Sequence, residues 1–328
     1  MKKYFFLIVL TILFLLSACS NSSDSSTSTE ESNKDSLTIY TTVYPLQYFA
    51  EQIGGDFVEV SSIYPPGSNE HTFEPTQKDM IQLAEADLFF YIGLGLESFV
   101  QSAEKSLAKE NVKFVAVTEY IHEEKFHVSV GHSHDDHHHH EEDDYHGEDE
   151  HHHHGEVDPH VWLSPDLSKD LALAIKNELV KFMPEHEQTF NDNYETLVKR
   201  LDELDEKFQT LANEASNKVF FVSHASFGYI AGQYGLTQIP VAGLNSQSEP
   251  SQKELTEIVK LAKEYKVGYI LFEQNVSSKL TSIIQEEIGA EPLLLHNLSV
   301  LTEEDIEANE DYFTLMEKNI DIFKTALN

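Results

Sequence analysis

LTIYTTV at residues 37–43, followed by PLQYFAEQI at residues 45–53 and then Gly54-Gly55, decides the fold. The first run is β-branched and aromatic, the composition of a strand. In the second, Leu46, Phe49, Ala50 and Ile53 fall at helical spacing, and the glycine pair stops the helix. The same alternation continues outward. Strands are predicted at residues 57–64, 88–92 and 112–117, with helices at 76–86 and 97–108 between them. After residue 160 a helix is predicted at 165–182, with Pro165 in its first turn. A second set follows: strands at 219–222, 237–241, 267–272 and 292–295, helices at 227–234, 252–265, 277–288 and 310–327. Alternation of this kind predicts parallel sheets flanked by helices.

Between the two sets lies residues 185–215, where Phe190, Tyr194, Leu197, Leu201, Leu204, Phe208 and Leu211 recur by threes and fours without Gly or Pro. This spacing predicts one helix of roughly 30 residues, about 45 Å long. The expected fold class is therefore α/β: an N-terminal lobe at 37–183, a long helix at 184–215 and a C-terminal lobe at 216–328.

The N-terminal 36 residues read differently. Residues 1–19 have a basic start, an apolar middle and small residues before Cys19, the parts of an export signal. Cys19 is the sole cysteine and cannot form an internal disulfide. Following Leu16-Ser17-Ala18, it reads as the lipidated residue of a bacterial lipobox. Residues 20–36 read as a flexible polar linker. Beyond residue 36 no apolar run approaches the roughly 20 residues of a spanning helix. The expected location is extracytoplasmic, lipid-anchored to the cell membrane. A formal net charge of −35, from 57 acids against 22 bases, opposes nucleic acid and anionic lipid and favours cations.

A disordered loop, rich in histidine and acids, is expected at residues 122–157. Its core carries His132, His134, His137, His138, His139, His140, His146, His151, His152, His153 and His154, interleaved with nine acids and free of Lys and Arg. Imidazole with carboxylate is a donor mixture for transition metals, and the tract has too few apolar side chains to fold. It reads as a low-affinity metal loop. Three further histidines stand apart from it. His71 lies in a turn-rich loop, PPGSNEHTFEP at 65–75, after a predicted strand. His160 lies in DPHVWL at 158–163, and His224 in SHASFGY at 223–229, at another strand end. Ligands of parallel sheets sit beyond the carboxyl ends of the strands, so the three can converge between lobes, and three imidazoles suit zinc.

These motifs, in this order with the lipobox and the acidic histidine loop, resemble the zinc-binding solute receptors of ABC importers, the ZnuA/AdcA-like lipoproteins of the cluster A-I type. The resemblance covers the chain from Cys19 onward. It implies two (β/α) lobes, a rigid connecting helix, one metal held between the lobes as transported cargo, and delivery to an ABC-transporter membrane permease by a monomer. In manganese or iron members the third ligand is typically glutamate; His224 at that position favours zinc. Many relatives carry a carboxylate where Ser299 stands here, which leaves the fourth ligand to Glu70 or to water. Glu273, at the end of the strand 267–272, is a candidate for orienting a ligand. Two other readings compete: a zinc hydrolase or lyase with a three-histidine site, and an adhesin-type surface lipoprotein. His122 and His127 suggest HExxH, but the second histidine comes one residue too late to share a helix face with the first.

Overall fold

The computed structural model describes residues 36–126, 157–248, 250–276 and 279–328. The export signal, Cys19, the linker and all eleven histidines from His132 to His154 lie outside these residues.

Among the described residues, eight strands form two four-stranded parallel sheets with the same internal order. In the first, β1 (Leu37–Thr41), β2 (Val58–Ser62), β3 (Leu88–Tyr91) and β4 (Lys113–Ala116) lie in the order β2-β1-β3-β4. In the second, β5 (Val219–His224), β6 (Thr237–Ala242), β7 (Tyr269–Glu273) and β8 (Glu291–Leu295) lie in the order β6-β5-β7-β8. Every pairing is parallel. Strand runs such as Leu88-Phe89-Phe90 and Phe220 to His224 are buried throughout, as expected where helices cover both faces. In each sheet the chain reverses direction between the first and third strands, which opens a crevice at their carboxyl ends.

The helices of the first lobe are α1 (Tyr44–Gly54), α2 (Gln77–Ala84) and α3 (Val100–Ser106). Next come α4 (Pro165–Phe182) and the long α5 (Glu187–Glu214), 28 residues, or about 42 Å. The second lobe carries α6 (Gly228–Tyr234), α7 (Gln252–Glu264), α8 (Lys279–Ile288), α9 (Glu303–Glu307) and α10 (Tyr312–Ala326). Observed ends fall inside the expected ones at the strands of the first sheet and at most helices, because the ladder or helix closes before the apolar run does; each strand of the second sheet instead runs one or two residues past an expected end. The short α9 was not expected: TEEDIEANE has no apolar period, and the helix rests on a capping box in which Thr302 and Asp305 satisfy each other's backbone N–H groups. Among the described residues, no helix is long and apolar enough to cross a membrane.

One apolar cluster runs through both lobes, from Ile39, Phe49 and Phe90 through Trp162, Leu201 and Phe208 to Phe227, Tyr312 and Phe323. A smaller one, built on Phe221, Ile239, Ile258 and Ile270, fills the far side of the second sheet. Alternation in β5 divides the two, since Phe220 and Val222 face the shared cluster and Phe221 the other. Arg200 on α5 lies over the Phe313 ring of α10 at 3.8 Å and donates to the Tyr48 hydroxyl of α1 at 2.7 Å, joining three helices.

Gly54 closes α1 directly against β2. A Cβ there would run into the Val58 isopropyl group, and its nearest carbon on the main stem, Val58 Cβ, is only 3.0 Å away. Gly54→Ala is expected to destabilise the fold by about 1–3 kcal/mol through overpacking. Urea denaturation checks it; an unchanged midpoint would show that β2 yields at no cost.

Candidate metal centre

His224 is the last residue of β5 and Glu273 the last of β7, its neighbour across the crevice. The ladder pairs Val222 with Leu271, so His224 comes level with Glu273 two residues on. Glu273 Oε1 accepts from His224 Nδ1 at 2.7 Å, from the Ser223 hydroxyl at 2.9 Å and from the His224 backbone N–H at 3.2 Å; Oε2 accepts from the Ser226 hydroxyl at 2.8 Å. The carboxylate thereby fixes the Nδ1–H tautomer and leaves His224 Nε2 as a lone-pair donor.

His160 is held in the same way from the first lobe. Asp158 Oδ1 accepts from His160 Nδ1 at 2.7 Å and from the His160 backbone N–H at 2.9 Å, a turn tightened by Pro159 between them. Tyr229, in the first turn of α6, donates its hydroxyl to the Asp158 carbonyl at 2.7 Å and so steadies this loop from the second lobe. His160 Nε2 then faces His224 Nε2 at 3.3 Å. With both protons on Nδ1, neither Nε2 has a hydrogen to give the other, and two lone pairs point into one space.

His71 sits on the loop after β2. Its backbone N–H is accepted by Asn69 Oδ1 at 3.1 Å, and its ring lies 5.4 and 5.6 Å from those of His160 and His224. His71 Nε2 is buried without a hydrogen-bond partner, and so is Glu70 Oε2 beside it. One donor atom each from Glu70, His71, His160 and His224 lies within 4.8 Å of the others. A tetrahedral zinc with arms of about 2.0–2.1 Å has edges of about 3.3 Å, so the His160–His224 edge already fits and the remaining donors need only draw inward.

Electrostatics favour a cation at this point. Glu70, Asp158 and Glu273 are all buried, and the ion-pair partners described for them are histidines. Burial pulls the His71 imidazole down to about 3, with the charges of His160 and His224 adding to the effect. Burial also acts to lower His224, but Glu273, with Glu70 and Asp158 behind it, outweighs this and raises it. Burial would raise Glu273; its contacts with His224, Ser226 and Ser223 hold it low. Buried carboxylates of this kind are costly without a positive partner.

The structure thus brings together His71, His160, His224 and Glu70 from positions up to 154 residues apart. Glu273 stands where an orienting group was expected. Ser299 points elsewhere: its hydroxyl donates to Asn297 Oδ1 at 2.9 Å. His122 is exposed on the surface, and His127 lies outside the described residues. Two residues escaped the sequence reading. Asp158 had a visible signal, an acid two residues before a histidine across a proline; Asn297 had none.

Two α/β lobes with a three-imidazole, one-carboxylate cluster in the cleft between them have the form of a two-lobed metal-binding protein. The family whose model matches residues 39–326 is the zinc-uptake complex component A periplasmic family, ZnuA, and this chain belongs to it. Its relatives include the high-affinity zinc uptake system protein ZnuA of Bacillus subtilis, 36% identical over 297 residues, covering 90% of this chain and 89% of that protein. The zinc-binding protein AdcA of Streptococcus pyogenes serotype M3 is 37% identical over 286 residues, 87% of this chain; the match spans only 55% of AdcA, about half its length. Among solved structures, the Zn(II)-bound ZnuA-like domain of Streptococcus pneumoniae AdcA is 32% identical with a TM-score of 0.70, covering 89% of this chain and 99% of that one.

Proposed function

We propose that this chain is an extracytoplasmic receptor that takes one zinc ion into the interlobe cleft through His71, His160, His224 and Glu70, and delivers it to an ABC-transporter permease for uptake. The observation that carries the reading is the pair of imidazoles held by Asp158 and Glu273 with both Nε2 atoms turned inward. Three nitrogens and one carboxylate oxygen suit zinc better than harder cations. The Zn(II) bound to the AdcA domain, and the zinc uptake for which the Bacillus subtilis relative is named, support the same cargo here. A catalytic zinc site keeps a coordination position open for water; a Glu70 carboxylate oxygen within reach of the three imidazoles argues against the hydrolase reading. Family membership likewise favours a receptor over an adhesin.

Within this reading Cys19 is the lipid attachment point, the receptor acts as a monomer, and the histidines from His132 to His154 gather zinc weakly beside the cleft, raising its local concentration. Protein purified without added metal is expected to carry one zinc per chain by elemental analysis. Calorimetric titration should find that tight site together with a weak class, and deletion of residues 132–154 should remove the weak class alone. A metal-free preparation that fails to take up stoichiometric zinc would sink the proposal; loss of the tight site on deletion would overturn the division of labour.

A further inference from the structure

Asn297 follows β8 in the second lobe, yet its contacts reach both ligand-bearing loops of the first. Its Nδ2 donates to Glu70 Oε1 at 3.2 Å, and its carbonyl accepts from Trp162 Nε1 at 2.7 Å, two residues beyond His160. All four residues, Asn297, Glu70, Trp162 and His160, are buried. The direction of the Asn297 amide is set by chemistry. Its Oδ1 accepts from the Ser299 backbone N–H at 3.1 Å and from the Ser299 hydroxyl at 2.9 Å. A backbone N–H can only donate, so oxygen must face Ser299 and nitrogen must face Glu70. The amide therefore holds Glu70 Oε1, the oxygen that stands 3.9 Å from His71 Nε2, while Oε2 is buried without a hydrogen-bond partner.

We infer that Asn297 is a positioning residue for zinc binding: it holds the Glu70 carboxylate across the lobe interface beside His71, in the orientation that offers it to the ion, and Ser299 holds Asn297. This rests on Glu70 being the fourth ligand, as proposed above. Backbone bonds brace the same segment against the first lobe, from Tyr44 N–H to the Ser299 carbonyl at 2.9 Å and from Gly67 N–H to the Leu301 carbonyl at 3.1 Å. Leu298, between Asn297 and Ser299, takes a left-handed φ of 57°. Ser299 has thus a definite task in place of ligation, aligning the residue that aligns the carboxylate.

The test is a double-mutant cycle read as zinc affinity by competition with a chromophoric chelator, using zinc alone as probe. Glu70→Gln should weaken binding, and no change there would remove the fourth-ligand reading together with the inference. Asn297→Leu should weaken binding by about 10–100-fold, the usual cost of losing a group that orients a ligand. In the Glu70→Gln background the same change should cost less than about threefold, because its route to the metal is already gone. Should Asn297→Leu be silent while Glu70→Gln is not, the inference alone fails; an equal loss in both backgrounds would mark a general disturbance and overturn it too. If Asn297→Leu does not fold, Ser299→Ala serves in its place, since it removes the hydroxyl contact and keeps the backbone one. It should give a smaller loss in the same direction, again absent in the Glu70→Gln background.

Discussion

His224→Ala is expected to weaken zinc binding by about 10²–10³-fold, since a tetrahedral zinc site of about 10–16 kcal/mol shared among four donors loses one of them outright. The variant should remain folded. Glu273 keeps its bonds from Ser223, Ser226 and the backbone of residue 224, so its carboxylate is not stranded. Competition titration against a chelator of known affinity measures the loss. Binding within a factor of about three of the parent protein would mean that the imidazole is structural and that zinc lies elsewhere. The change at His224 should also exceed the effect of altering Glu273 alone, because Glu273→Gln removes the group that sets the tautomer and not the donor, a loss of about 10–100-fold.

Zinc should raise the melting temperature by roughly 10 °C at neutral pH and about a thousandfold excess over its dissociation constant, an effect worth about 4 kcal/mol. That gain should shrink steadily toward pH 5, because protons and zinc compete for the same nitrogens. The two shifted histidines act in opposite senses. In the metal-free fold His224 is raised, so its proton stabilises that state below the ordinary imidazole value of about 6.5 and the contribution is lost as pH climbs through the raised value. His71, held at about 3, stays neutral while its unfolded counterpart takes up a proton below about 6.5; its contribution is present above that value and declines as pH falls toward 3. Proton competition should therefore begin above pH 6.5 at His224, and His71 should add nothing between pH 8 and 5. Thermal melts with and without zinc across this range read it directly. A zinc-dependent shift of constant size from pH 8 to 5 would exclude a cluster built on these imidazoles.

Most of the architecture could be read before any coordinates. The β-branched run at 37–43, the strand-ending histidines and the unbroken apolar spacing from Phe190 to Leu211 are local patterns, and local patterns survive in one dimension. The identical order of the two sheets could not be read, because pairing depends on contacts between segments that no periodicity reports. The three histidines were legible for a topological reason: each follows a strand or opens the loop before a helix, where a parallel sheet places its crevice. Asn297 was not. Its bond to Glu70 joins residues 227 apart, and an asparagine after a strand looks like any turn residue until the fold brings the two together. Glu70 lay between these cases, visible as an acid beside His71 but left open against water until the fold brought it within reach of the three histidines.

The apolar body shared by the two halves bears on how cargo could leave. Phe49, Trp162, Phe208, Phe227 and Tyr312 belong to one uninterrupted cluster, so a clamshell swing would bring large rings into water at about 1.5–3 kcal/mol apiece. The loop between β2 and α2 meets less of this cost: Ile63 and Tyr64 at its start belong to the cluster and Phe73 packs against it, but residues 65–72 between them do not. It carries the most solvent-exposed of the four donors, His71, and contains Gly67 with a φ of 73°. Egress by peeling back this single flap would leave His160 and His224 at their posts, ready for the next ion.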